Sequence, residues 1–142
     1  MSKLPLTDIE QAGVFYLPAG HTAALRQQAE SAHFSILSAV LGQAVDFQDA
    51  LKKLGTAFEF PDWYGANFDA LVDCLLDPDW KPAPGHVLLI GGCAHLRQLN
   101  PDDFSTLLEV LLAAIEGRRE TRQPLWILLD TPARGIARFP GL

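Results

Sequence analysis

Two apolar runs, His86-Val87-Leu88-Leu89-Ile90 and Leu125-Trp126-Ile127-Leu128-Leu129, flank Asn100-Pro101-Asp102-Asp103-Phe104 and the long segment that this stretch opens. Neither run alternates polar with apolar residues, so each reads as a strand buried on both faces, the pattern of a parallel sheet. The segment between them reads as a helix. Asn100 can cap it, Pro101 sits at its first position, and Asp102 and Asp103 favour the positive end of its dipole. Phe104, Leu107, Leu108, Leu111, Leu112 and Ile115 make its apolar face, and Gly117 is the expected stop. Strand, helix and returning strand together are the repeating unit of α/β proteins.

Outward from this unit the same alternation continues. Phe34 to Leu41 reads as a further strand ended by Gly42, and Asp46 opens a helix with Phe47, Ala50, Leu51 and Leu54 at i, i+3, i+4 and i+7. Gly13 to Leu17 is a short strand, followed by a weak helix that Thr22 could cap and that runs through Ala32. A helix fits Asn67 to Asp77 with Pro78 stopping it, and the aromatic stretch Phe58 to Tyr64, which contains Pro61, reads as a loop. The expectation is an α/β protein: a small three-layer fold with a parallel sheet of three to four strands, helices on both faces, and right-handed crossovers. No internal repeat or linker divides the 142 residues, so one domain is expected, with 131–142 as an irregular extension holding two prolines and two glycines.

Hydrophobic residues at 49% and charged residues at 20% exclude a disordered or low-complexity chain. Eleven Lys and Arg against 17 Asp and Glu give a net charge of −6, which argues against free DNA or RNA as a direct partner and for a basic protein. The longest apolar stretches fall far short of a bilayer span, and the amino terminus carries no signal-peptide pattern, so a soluble cytoplasmic protein without a membrane partner is expected. Cys74 and Cys93 form neither a CxxC nor a zinc spacing, and two free thiols suit a reducing compartment.

The 67–77 helix carries the one arrangement that folding does not ask for. Asp69, Asp73 and Asp77 stack at i, i+4 and i+8, opposite an apolar side made of Phe68, Leu71, Val72 and Leu75. Like charges at i, i+4 cost an isolated helix about 0.2–0.5 kcal/mol per pair. Immediately before the helix comes Phe60-Pro61-Asp62-Trp63-Tyr64-Gly65-Ala66-Asn67, and between Phe58 and Lys81 the acids Glu59, Asp62, Asp69, Asp73, Asp77 and Asp79 face a single base, Lys81. Two readings fit. The stack is a solvated face and the aromatics pack inward, or aromatic anchors and orienting carboxylates together form a protein-binding surface. One of Trp63 and Tyr64 is expected to pack against the sheet layer.

The remaining chemistry-bearing residues do not assemble into a site. His21, His33, His86 and His95 lack HxH or HxxxH spacing, so no metal is expected, and Cys93-Ala94-His95 is too short a signal for a nucleophile and base. Gly91-Gly92 follows a strand but no Lys-Ser/Thr follows it, which rejects a P-loop. Carboxylates along one helix face, rather than across a cleft, do not suit hydrolysis. No cofactor and no enzymatic turnover are expected, and both thiols are expected to be structural.

The run Phe60-Pro-Asp-Trp-Tyr-Gly-Ala-Asn-Phe-Asp-Ala-Leu-Val-Asp-Cys-Leu75 resembles the signature segment of the barstar family, intracellular inhibitors of barnase-type ribonucleases, and Asp79-Trp80-Lys-Pro-Ala-Pro-Gly-His-Val-Leu-Leu89 resembles the stretch that follows it. The looser likeness covers 34–130, with 1–33 as an added strand and helix. The resemblance implies that the loop and signature helix plug the catalytic cleft of a basic ribonuclease, barnase-type or another toxin nuclease. Trp63 then matches an aromatic that stacks on the enzyme, with Tyr64 beside it. Gly65 and Asn67 match the turn into the helix, and Asp69 and Asp73 match acids that stand in for substrate phosphates, with Asp77 further out as a steering charge. Val72 stands where the best-known inhibitor has a large aromatic, Ala66 and Ala113 stand where it has acids, and Glu116 is a candidate replacement for the latter. A second expectation from a different class is a barstar-like fold used as a non-inhibitory binding module for another basic partner.

Overall fold

A computed structural model describes residues 5–140; the outermost parts of the expected 1–33 and 131–142 units, residues 1–4 and 141–142, lie outside the described residues. Among the described residues, strands β1 (Val14–Tyr16), β2 (Ser35–Val40), β3 (His86–Gly91) and β4 (Leu125–Leu129) form one sheet in the order β1-β4-β3-β2. Every neighbouring pair is parallel, with continuous register from Ser35↔His86 to Val40↔Gly91 and from His86↔Leu125 to Ile90↔Leu129. The helices are α1 (Thr22–Ser31), α2 (Phe47–Ala57), α3 (Phe68–Leu76), α4 (Cys93–Leu99) and α5 (Pro101–Glu120).

The chain crosses the sheet in one sense from β1 to β2 and in the opposite sense through β2, β3 and β4. Crossovers of a single hand then put α1 on one face and α2–α5 on the other, which is the observed layering. Alternate strand residues serve the two layers: Leu88, Ile90, Leu125, Ile127 and Leu129 pack under α2–α5, whereas Val87, Trp126 and Leu128 pack under α1 through Leu25 and Ala29. The α/β three-layer expectation holds. The added amino-terminal unit is therefore no appendage, since it supplies one entire layer.

Several boundaries differ from the expectation. Thr22 lies inside α1, whose N-cap is His21 without a side-chain hydrogen bond. Helix α4 was not expected at all: it is seven residues long, and its free N–H groups are satisfied from far along the chain, Gly92 and Cys93 donating to the Asp130 carboxylate at 2.8 and 3.2 Å. Gly92 has φ +84°, and a Cβ there would fall 2.3 Å from the Gly42 nitrogen, so only glycine fits. Gly117 does not stop α5, which runs on to Glu120; it is where α5 meets α3, a Cβ at this position falling 2.7 Å from Leu76 Cδ2. Leu112, expected on the apolar face, is exposed. The tail is not wholly irregular either. Tyr16 donates to the Ala137 carbonyl and Phe139 donates to that of Tyr16, both at 2.8 Å, and the Phe139 ring is buried against Trp126.

Candidate partner-binding site

The segment from Phe58 to Lys81 leaves the α2 layer, forms the aromatic loop and α3, and returns to a point beside its start. Its base is clamped. The Trp80 indole N–H donates to the Phe58 carbonyl at 2.8 Å, and Lys81 Nζ lies 3.0 Å from Glu59 Oε2. The Phe60 ring fills the space between, with centroids 4.9 to 5.9 Å from Tyr64, Trp80 and Phe58. Closing the ends of a loop removes much of the entropy that would otherwise blur its tip.

Of the two aromatics, Tyr64 packs inward, against α2 and not against the sheet. The Cδ2–Cε2 edge of its ring abuts Gly55 of α2, where a Cβ would stand 2.5 Å from it, and its hydroxyl donates to the Leu51 carbonyl at 2.7 Å. Burial raises the Tyr64 pKa, and the hydroxyl stays protonated. Trp63, next to it, is 53% exposed at the apex. Gly65 is exposed in the following turn, but the left-handed residue there is Ala66, at φ +52°. An alanine in that region costs on the order of 1 kcal/mol. The buried Ala66 is held there while its carbonyl accepts from Gln48 Nε2 at 3.1 Å. Asn67 then caps α3, its side-chain oxygen accepting the Ala70 N–H at 2.8 Å.

The buried side of α3 is Ala70, Leu71, Cys74 and Leu75, rotated from the Phe68, Leu71, Val72, Leu75 face expected from the sequence. The reason is three-dimensional: α3 packs chiefly against α5, which covers Ala70, Leu71, Cys74 and Leu75, while Phe68 turns toward Phe47 of α2 and, like Val72, stays half-buried. Asp69 and Asp73 remain on the outer face, both exposed. Asp77 is not the third step of their stack. It is the C-cap, with extended backbone, and its Oδ1 accepts the Asp79 N–H at 2.9 Å. Among the described residues no cation pairs with Asp62, Asp69, Asp73, Asp77 or Asp79, the one local base being taken by Glu59.

Behind this face lies a polar cluster that sequence reading missed. Arg118 of α5, 3% exposed, donates from Nη1 to the Leu75 carbonyl in the last turn of α3 at 3.0 Å and from Nε to the Gln123 carbonyl at 3.1 Å. Its Nη2 donates to His86 Nδ1 at 2.6 Å, so His86 is neutral and its Nε2–H donates to the Lys81 carbonyl at 2.7 Å. Burial, then the adjacent guanidinium, pushes the His86 pKa down to about 4, and burial lowers that of Arg118 to about 10. The indole of Trp80 stacks on His86 at 4.9 Å. An Arg after a glycine in a helix expected to end there offered no signal for this. Glu116, the candidate replacement acid, pairs instead with Arg119, which also donates to the Ala12 carbonyl toward the β1 side.

The thiols are buried. Burial first, then the Asp77 and Asp73 charges, raises Cys74 to about 11, and burial with Asp130 raises Cys93 to about 12. Neither is poised as a nucleophile at neutral pH. His95, two residues from Cys93, has its Nε2 engaged with the Ala44 carbonyl at 2.7 Å. Among the described residues no three His, Cys, Asp or Glu side chains converge as a metal set, and no helix is long and apolar enough to cross a membrane.

A family model described as Barstar (barnase inhibitor) matches residues 34–130, a span that takes in β2 through β4 and α2 through α5. No curated protein matches the chain.

Proposed function

The chain belongs to the barstar family, and on that premise we propose that it is an inhibitor or immunity protein for a basic ribonuclease. Trp63 at the loop apex and Asp69 and Asp73 on the outer face of α3 enter the enzyme's cleft, where the carboxylates meet the cations that otherwise bind RNA phosphates. The observation that carries this reading is the contrast of charge on one short segment: Asp69 and Asp73 stand exposed without a cation, on a helix whose ends and back are fully tied down. Exposed anions on a rigid support need no reorganisation to bind, which is where interface charges contribute most. The protein acts by occupancy and not by turnover, in the cytoplasm of the cell that makes it. Tyr64, Gly65 and Asn67 set the angle at which Trp63 is offered, the half-buried Val72 flanks the two acids, and Asp77 adds to the field.

Small side chains at Val72 and Ala113, where the best-known inhibitor has a large aromatic and an acid, favour a target whose cleft differs from that of barnase. They also keep a second reading in view, a non-inhibitory module for another basic partner. Titrating a barnase-type ribonuclease with the purified chain separates the two. Loss of RNA cleavage that tracks binding, and that Asp73→Ala abolishes, is the expected result. Binding with cleavage intact favours the module, and no binding to any basic ribonuclease overturns the inhibitor reading.

A further inference from the structure

The two edges of the sheet are finished differently. At the β1 edge the chain's own tail closes the strand, with the Tyr16 N–H and carbonyl both bonded to residues 137 and 139. At the β2 edge, among the described residues, nothing pairs with the strand. Ser35 and Leu41 donate to the Gly85 and Gly91 carbonyls on the β3 side. By the alternation of a parallel ladder, Leu37 and Ala39 also face β3, and the N–H and C=O groups of Ile36, Ser38 and Val40 point outward. The usual guards of an open edge are missing: Ser35-Ile-Leu-Ser-Ala-Val40 holds no charge and no proline, and its register with β3 runs without a bulge. Val40 at its end is 77% exposed and Val45 just beyond is 76% exposed, two of the four large apolar side chains most open to solvent.

We infer that β2 pairs antiparallel with β2 of a second copy of this chain, about a two-fold axis at Ser38. The strand is self-complementary in that register. Ser38 faces Ser38, and Ile36 faces Val40 in both directions, so outward N–H groups meet outward carbonyls and the cross-strand side chains are small or aliphatic. Isologous pairing also closes, so the association stops at two. Two chains of −6 charge can meet here because neither presents a charge along the strand, and the contact lies apart from Trp63, Asp69 and Asp73. Six residues span roughly 20 Å, so the interface is at the small end of the range and the dimer is dilution-sensitive. Salt strengthens it by screening the like net charges.

Sedimentation equilibrium of the full chain from micromolar to near-millimolar concentration tests this. The parent is expected to show a reversible monomer–dimer equilibrium that shifts toward dimer as salt is raised. Val40→Lys places a charge on the edge at a side chain already in solvent, and Ser38→Pro removes an outward N–H. Each should weaken the dimer by about tenfold or more, with Val40→Lys keeping the parent's melting temperature. Trp63→Ala should leave the equilibrium unchanged. A parent that stays monomeric throughout, or a dimer that survives Val40→Lys and dissociates on Trp63→Ala, overturns the proposal. Should Ser38→Pro fail to fold, the Val40→Lys result decides alone.

Discussion

At the base of the Phe58–Lys81 excursion the polar groups have partners: Lys81 has Glu59, the Trp80 indole has the Phe58 carbonyl, and Arg118 has two carbonyls and a histidine. On its outer face Asp69 and Asp73 are exposed without a cation, and Trp63 is half open to solvent. The Phe58–Lys81 stretch runs through both regions, and α3 is common to both. Stability explains the first. A buried polar group left unmatched costs about 1–3 kcal/mol, so folding demands the matching. It does not explain the second, because an acid pair one turn apart mildly opposes the helix that carries it. What the base secures, the outer face can use.

The widest departure between the two regions is expected at Asp73. Asp73→Ala should weaken binding to a basic ribonuclease by about 2–5 kcal/mol, a scale drawn from charge pairs of the barnase–barstar interface and not from this chain. The loss comes from the partner's cations, which would be left desolvated and unpaired in the complex. The melting temperature should stay level or rise slightly. Titration calorimetry beside a thermal melt reads both, and a variant that binds like the parent removes Asp73 from the functional side of the comparison.

Arg118→Met is the converse change. It keeps an unbranched side chain but strands the Leu75 and Gln123 carbonyls and His86 Nδ1, for an expected loss of about 2–4 kcal/mol in urea unfolding. Because one of those bonds holds the last turn of α3, the folded variant should also bind its partner less well, though by less than Asp73→Ala. Full affinity in the folded variant would show that the outer face does not depend on the base.

The same cluster sets a pH response. His86 has a native pKa near 4 and an unfolded value near 6.5, so between these limits the unfolded chain holds more protons. Stability from keeping His86 neutral is complete above about pH 6.5 and is lost as the pH falls toward 4, on the order of 3 kcal/mol. Urea midpoints taken at pH 7 and pH 4.5 should fall accordingly in the parent. His86→Gln should show a lower midpoint at pH 7 and a smaller fall, and an unchanged fall would place the acid sensitivity elsewhere.

How much of this could be read in advance follows from range. Strands β3 and β4 were legible because a continuous apolar run is local evidence, and the helix starts at Asp46, Asn67 and Asn100 were legible because each side chain bonds a backbone N–H three residues on. The exposure of Asp69 and Asp73 was legible because a charge seeks solvent whatever its partner, whereas which of Trp63 and Tyr64 packs inward was not. The larger misses involve a partner far along the chain. Helix α4 depends on Asp130, Arg118 on Leu75 and His86, the extension of α5 past Gly117 on Leu76, and the closure of the β1 edge on the tail. The rotated buried side of α3 has the same origin, since a helix wheel registers the apolar residues but not how many neighbours surround them.

The smallest effect concerns the outlying charges, and it tests whether position on the outer face matters or charge alone. Asp77→Asn with Asp79→Asn removes two charges. The amide introduced at position 77 keeps a side-chain oxygen that can still accept the N–H of residue 79, so the turn after α3 should survive. These residues sit beyond the helical face that carries Asp69 and Asp73, and Asp77 is already engaged as the C-cap. Their contribution to a complex is the field felt by an approaching cationic protein, which decays over about 8–10 Å at 0.1–0.15 M salt. Stopped-flow mixing with the ribonuclease should therefore show association slowed about two- to fivefold at low salt and little changed at high salt, with dissociation unaltered. Asp73→Ala should do the opposite, accelerating dissociation at every salt concentration. If the double variant instead dissociates faster, Asp77 and Asp79 lie within the contact and the functional surface extends past the end of α3; if neither rate moves, the acids that matter are confined to the face on which Asp69 and Asp73 stand.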